Sequence, residues 1–301
     1  MLHRIAHKLY NGHRLVASGS PLDPYNPLNL PEYTMRMLFR DNVTPTFSKG
    51  TLTQISQSPN IWDVNYNDRD GWEGLCEEQQ DLLEVLGANT DGVRNMVSMF
   101  YGCSALSAVS LFNTSSLNRM SWMFDGCCSL ESIPQFNTTN VNEIDHAFNG
   151  CRKLKSIPLL DTSNADNFVA LFQGCNSLTS VPLLDTNKVT NFGYMFAYCS
   201  SLSSVPLFDT SNAEYLYSMF QDCTSLTSIP LFNTNKVVDM QFTFLSCPNV
   251  QTGALALYQQ ASNQQNPPQN HYYTFYNCGS NTQTGAAELA QIPTSWGGTM
   301  A

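Results

Sequence analysis

The sequence predicts an α/β solenoid, a right-handed stack of 24-residue coils with a parallel sheet, and three observations predict it. Phe recurs at 100, 124, 148, 172, 196, 220 and 244, and Cys at 103, 127, 151, 175, 199, 223 and 247, with no insertion or deletion between copies. Further columns keep the same register: Leu106 to Leu226, Val109 to Ile229 and Thr114 to Thr234. A fixed period in the twenties marks short units, each of which buries its apolar face only against its neighbours.

The register extends before Phe100. Leu82, Val85, Thr90, Val93 and Met96 lie 24 residues ahead of Leu106, Val109, Thr114, Leu117 and Met120. In this degenerate first coil Cys76 takes the place of the Phe and Gln79 that of the Cys, and Trp72 is read as sealing the end. The solenoid is therefore assigned to residues 75–250. Residues 33–74 read as an N-terminal β cap, with short strands expected over 33–40, 51–56 and 61–66. Residues 251–301 read as a C-terminal cap with helices over 252–262 and 286–292. There Phe275-Tyr276-Asn277-Cys278 repeats the Phe-x-x-Cys pattern, 31 residues after the last copy.

Residues 1–32 read as an attachment leader. Two short apolar runs, 5–10 and 13–17, flank Asn11-Gly12, a preferred centre for a tight hairpin, and a Pro-rich linker follows over 18–31. Arg4, Tyr10, Asn11, Gly12 and Arg14 are the expected attachment residues. His3 and His7 have helical spacing for a metal, but the hairpin places them on a strand with no acidic or Cys partner nearby, so no metal is expected.

Net charge is −10 and only 13% of residues are charged. Residues 1–50 hold six basic and three acidic side chains, which leaves −13 on the remainder. An acidic chain without clustered Lys and Arg lacks the footprint of a nucleic-acid groove. The start, from Met1 to Lys8, has no apolar run of the ~7–15 residues that export needs. No window approaches the ~20 apolar residues of a membrane span. Synthesis and folding in a cytosol, without membrane insertion, are the expectation.

The segment L-x-x-V-x-L-x-x-T fits the strand-and-turn half of a leucine-rich repeat, with Thr where many such repeats place Asn. The run Met219-Phe220-Gln221-Asp222-Cys223-Thr224-Ser225-Leu226-Thr227-Ser228-Ile229-Pro230-Leu231 resembles the BspA-like leucine-rich repeat group. That group occurs on bacterial and protozoan surface proteins, on mycoplasma lipoproteins and in proteins encoded by gut phages. The resemblance covers roughly residues 75–250. It implies a leucine-rich-repeat fold and a binding role, not a chemistry.

Ten cysteines raise disulfides and zinc, but seven of them form a ladder of one per coil, without a C-x-x-C pair. Stacked side chains point the same way, and a cytosol keeps thiols reduced. Buried free thiols are expected, with Cys128, outside the ladder, the most exposed. No catalytic constellation emerges: Asp161, Asp185 and Asp209 recur as corner residues suited to bonding backbone N–H groups. His146 stands in a column otherwise filled by Trp122, Ala170, Tyr194, Ser218 and Phe242. No enzyme activity, cofactor or metal is expected.

Core columns hardly vary, whereas the segment between the Leu117 and Phe124 columns does. Trp122, His146, Tyr194, Tyr198, Tyr215, Tyr217 and Phe242 lie there or beside it and form the expected binding face. Tyr, Ser and Asn with a few large aromatics are the composition of adaptable binding surfaces. The plainer reading is a solvated convex face free to drift. On the other side, column 111 (Leu111, Gln135, Leu159, Leu183, Leu207, Leu231) and column 112 (Phe112, Phe136, Leu160, Leu184, Phe208, Phe232) compete for the interior. Leucine-rich-repeat spacing favours column 111, yet that would bury Gln135. Whichever column faces out forms an apolar stripe.

These features point to a phage virion protein that docks on a larger assembly through its leader and displays the solenoid to a host-surface protein or polysaccharide. A bacterial cell-surface adhesin and an intracellular interaction scaffold are the alternatives.

Overall fold

Hydrogen bonding between coils repeats at the spacing of the sequence. The computed structural model describes residues 28–68 and 70–299. Arg4, Tyr10, Asn11, Gly12 and Arg14, and the hairpin expected around them, lie outside the described residues.

The described chain begins as a sheet in the order β2-β3-β1-β4-β5. Its strands are β1 (Thr34–Phe39), β2 (Thr51–Gln57), β3 (Asn60–Asn65), β4 (Leu82–Asn89) and β5 (Ala108–Val109). The first four pair antiparallel, and only β4–β5 is parallel. Met35, Met37 and Phe39 alternate along β1 and are buried. Arg36 and Asp63 sit opposite each other on β1 and β3 and pair at 2.6 Å, an opposite-charge cross-strand contact. Residues 28–32 belong to this unit rather than to a separate leader. Leu30 is buried, its carbonyl accepts from Asn89 Nδ2 at 3.0 Å, and the Leu28 side chain lies over Gly87.

Beyond the sheet, alternate residues donate across the coil boundary. Met120, Trp122, Phe124 and Gly126 give their N–H groups to the carbonyls of Glu143, Asp145, Ala147 and Asn149 at 2.8–3.1 Å. The interleaved Met123, Asp125 and Cys127 donate instead three residues back, each at 3.1 Å. Backbone donors are thus divided between the next coil and the local turn, which satisfies them without a regular strand. The same scheme runs from Gly74 to Ser246, broken only at Ile144.

This ladder corrects the expected position of the parallel strand. The repeat spacing predicts one strand per coil over residues 107–111 and their equivalents, but only β5 forms, and it is two residues long. The cause is proline. Ser110 N donates to Val85 O at 2.9 Å, whereas Pro134, Pro158, Pro182, Pro206 and Pro230 occupy the equivalent positions and have no N–H to give. One bond per coil survives there, such as Thr179 N to Lys155 O at 3.4 Å.

Column 112 faces inward, so the spacing-based preference for column 111 is overturned. Phe112, Phe136, Leu160, Leu184, Phe208 and Phe232 are buried, while Leu159, Leu183, Leu207 and Leu231 are 54–61% exposed. Gln135 accordingly lies outside, where its Nε2 donates to Leu159 O at 2.7 Å. The outcome agrees with the cost of burying an amide lacking partners.

Inside, the Phe rings form one continuous stack. Centroids of Phe100, Phe124, Phe148, Phe172, Phe196, Phe220 and Phe244 follow one another at 5.3–5.8 Å and near-parallel planes. Phe275 joins at 5.8 Å despite its longer spacing. The additional residues form α1 (Ala254–Asn263), and α2 (Gln283–Leu289) follows Cys278. Glu288 on α2 accepts from the N–H groups of Gly253 and Leu255 at the start of α1. Trp72 is fully buried at the opposite end, and its indole N–H donates to Tyr66 O at 3.1 Å.

All ten cysteines are free, and nine are buried. From Cys127 onward each ladder thiol donates to a Phe carbonyl of the preceding coil, as in Cys127 to Phe100 O and Cys199 to Phe172 O at 3.0–3.1 Å. The Thr column does similar work, since Thr162, Thr186 and Thr210 donate to the carbonyls of residues 185, 209 and 233 at 2.7–2.9 Å. Asp161, Asp185 and Asp209 accept the N–H two residues on, as expected of corner residues.

The core can be tested by truncation and by alkali. Phe172→Ala removes a fully buried ring from the middle of the stack and is expected to cost about 3–5 kcal/mol in thermal or denaturant melts. An unchanged melt would remove the core assignment. In alkali the thiols are the relevant groups. Burial pushes the Cys103 and Cys199 thiols up to about 12 and raises the other buried thiols as well. In the unfolded chain they ionise at about 8.5. Their contribution is therefore complete below pH ~8.5 and is lost as pH rises toward 12. Melting temperature should fall steeply above pH ~9, while thiol reagents at neutral pH should label Cys128 alone in the native protein.

Candidate functional site

The variable segments lie on the ladder, and its backbone explains their side chains. Each coil makes two successive turns whose third residues have positive φ. In the second regular coil these are Trp122 (φ 61°) and Gly126 (φ 74°). The first of these columns holds Ser98, Trp122, His146, Ala170, Tyr194, Ser218 and Phe242, all with φ of 52–61°. A left-handed conformation costs a residue with a Cβ roughly 1–2 kcal/mol. Bulky side chains are thus held where glycine would be less strained, and such strain is concentrated at functional positions. The second column opens on Glu78, runs through Gly102, Gly126, Gly150 and Gly174, and then changes to Tyr198, Asp222 and Ser246.

Six of the seven residues of the expected face fall into three groups, and Tyr198 lies outside them. Trp122 and His146 stack with centroids at 3.8 Å and planes 5° apart. His146 Nδ1 lies 3.2 Å from Asp145 Oδ2, and the Ser121 hydroxyl donates to Asp145 Oδ1 at 2.6 Å. Burial alone would raise the Asp145 carboxyl, but the bonds from His146 and Ser121 outweigh it and hold the group below the usual carboxylate range. Burial raises neighbouring Asp125, partly offset by the amide of Asn149. Ser121 bonds the carboxylate and not the imidazole, so these three residues do not form a nucleophile–base pair.

Buried Ala170 occupies the column between His146 and the second group. In that group Tyr217 lies over Gly193, where any Cβ would overlap its ring, and meets Tyr194 edge-on at 5.3 Å and Tyr215 at 6.4 Å. Tyr198 stands apart from these rings, its hydroxyl accepting from Gln221 Nε2 at 3.0 Å. Buried Ser218 then precedes the third group, in which Phe242 packs on Tyr272 and Tyr273 at 5.1 and 6.0 Å, and Tyr273 meets Tyr276 at 5.2 Å.

Tyr272, Tyr273 and Tyr276 are exposed members of the face that were absent from the expected set. The signal was present, because counting two residues back from Phe275 puts Tyr273 in the Trp122 column. The glycine column was equally visible at 24-residue spacing.

Residues 76–183 and 144–256 match the model of a family described as Mycoplasma protein of unknown function, DUF285. No curated protein matches the chain. Among solved structures it is similar to a leucine-rich repeat protein from Eubacterium ventriosum at 20% identity, over 53% of this chain and 38% of that one, with a TM-score of 0.32. It is also similar to a leucine-rich repeat protein of T. pallidum at 20% identity, over 82% of this chain and 94% of that one, with a TM-score of 0.38. The chain thus spans well under half the length of the Eubacterium protein. Its leucine-rich-repeat character rests on its own repeated columns, and with matches that together cover residues 76–256, the chain belongs to the DUF285 family.

Proposed function

We propose that this protein is a non-enzymatic binding protein that displays a capped solenoid from a larger particle. The observation that carries this reading is that one varied column keeps Trp122, His146, Tyr194 and Phe242 at positive φ along the ladder, beside core columns that hardly change. A face under no demand would relax toward glycine or asparagine at such positions. In this reading β1–β3 cover one end of the stack and α1 and α2 the other, since an open coil would expose its apolar face. The ladder face takes a host-surface protein or polysaccharide, consistent with aromatic rings set among Ser, Asn and Gln. The particle is a phage virion, as the resemblance to BspA-like repeats of gut phages implies, and the N-terminal segment docks on it. The docking part is set at residues 1–27, because residues 28–32 pack on β4.

A chain beginning at Leu28 is expected to melt at the temperature of the full chain but to be missing from purified native particles. Incorporation of the shortened chain at the level of the full one would refute the docking role. A full-length chain found only as a free monomer among its natural neighbours would refute display.

A further inference from the structure

The second positive-φ column describes a shelf. A Cβ added at Gly126 would meet only backbone of Gly102, at 3.4 Å, and the same holds for Gly150 over Gly126 and Gly174 over Gly150 at 3.5–3.6 Å. Side chains in this column lean toward the preceding coil, and four successive glycines therefore leave a bare strip of backbone. Tyr198 ends it. It keeps the same backbone conformation, φ 64°, with a bulky ring 41% exposed, where a bulky residue is an outlier. Its ring is held by the bond from Gln221, and its carbonyl accepts from Asn176 Nδ2 at 2.9 Å.

Tyr198, Gly150 and Gly174 together line a depression of about 360 Å³, bordered by Asn149, Gln173 and Asn176, with exposed Arg152 at the edge. The Gln173 amide makes no side-chain hydrogen bond within the described protein. Asn149 and Asn176 use their N–H₂ groups on Asp125 and the Tyr198 carbonyl, which leaves their carbonyl oxygens to accept. We propose that this depression is a subsite for a neutral pyranose of a polysaccharide. An aromatic ring beside a glycine floor suits the C–H side of a sugar ring, and planar amides match vicinal hydroxyls as both donors and acceptors. A single Arg suits a multiply charged anion poorly, and the depression has no apolar well for a peptide side chain.

The proposal rests on the reading of the ladder face as a binding surface, and its test is separable from the test of display. Neutral hexasaccharides of α- and β-linked glucose, mannose and N-acetylglucosamine are titrated calorimetrically into the full chain and its variants. At least one should bind the natural sequence. Tyr198→Gly extends the shelf and relieves the strained φ, so it should melt at or above the parent temperature while weakening that sugar tenfold or more. Tyr198→Phe, which keeps the ring, should retain most of the affinity, and Gln173→Ala should weaken it with no change in melting. Equal affinity in Tyr198→Gly would move the site elsewhere and leave the display reading standing. Binding to none of the hexasaccharides would overturn the ligand class, whereas display is judged independently by incorporation of the chain beginning at Leu28.

Discussion

Everything in this molecule depends on the requirement that each coil hydrogen-bond to the next through the same backbone atoms. From Met96 to Ser246 the donors alternate between the neighbouring coil and the local turn at 2.7–3.3 Å, with Ile144 N the one ladder position that makes no such bond. A one-residue insertion would exchange these two sets of donors and rotate every side chain beyond it. That constraint accounts for a period that never slips over seven copies. It also accounts for the one departure, because the longer step to Phe275 accommodates α1 and then returns to register, with Ser246 N on Tyr276 O at 2.9 Å.

The ladder occupies only one side of the stack. On the other, five prolines remove the N–H that would extend β5 into a sheet, and what remains over most of the stack is one bond per coil at 3.1–3.4 Å and an outward row of leucines. Packing there is carried by side chains rather than backbone: Phe112 to Phe232 fill the interior, and Thr hydroxyls and Cys thiols tie each coil to the carbonyls of its neighbour. The thiols serve as small apolar groups that also donate weakly, which suits a column where any larger residue would crowd the Phe stack.

The proposed binding face follows from the same arrangement. Alternate turns put two residues per coil at positive φ, where the side chains form the varied face, are buried as at Ala170 and Ser218, or leave the strip bare. Where the column reads Trp122 and His146 the result is a stacked pair tied to Asp145. Tyr194, Tyr215 and Tyr217 form a cluster seated on Gly193. The breaks at Ala170 and Ser218 divide one variable column into separate patches, so sequence adjacency in the column overstates adjacency in space.

Sequence alone determined the period, the buried Phe, Cys, Leu and Thr columns, the aromatic residues of the face and the short strands that begin the structure. It could do so because identical environments repeated every 24 residues leave identical residue types behind. Tertiary structure decided what repetition leaves degenerate. Columns 111 and 112 are both apolar, and only the placement of their backbone shows that Phe112 faces in and Leu159 out. The sheet-like ladder sits over residues 120–126 rather than 107–111, because a donor is chosen by the carbonyl that the neighbouring coil presents to it. The glycine shelf and the ring of Tyr198 meet only once the coils are stacked, since the other residues that line their depression lie 22 to 49 positions before Tyr198 in the chain and one or two coils away in space.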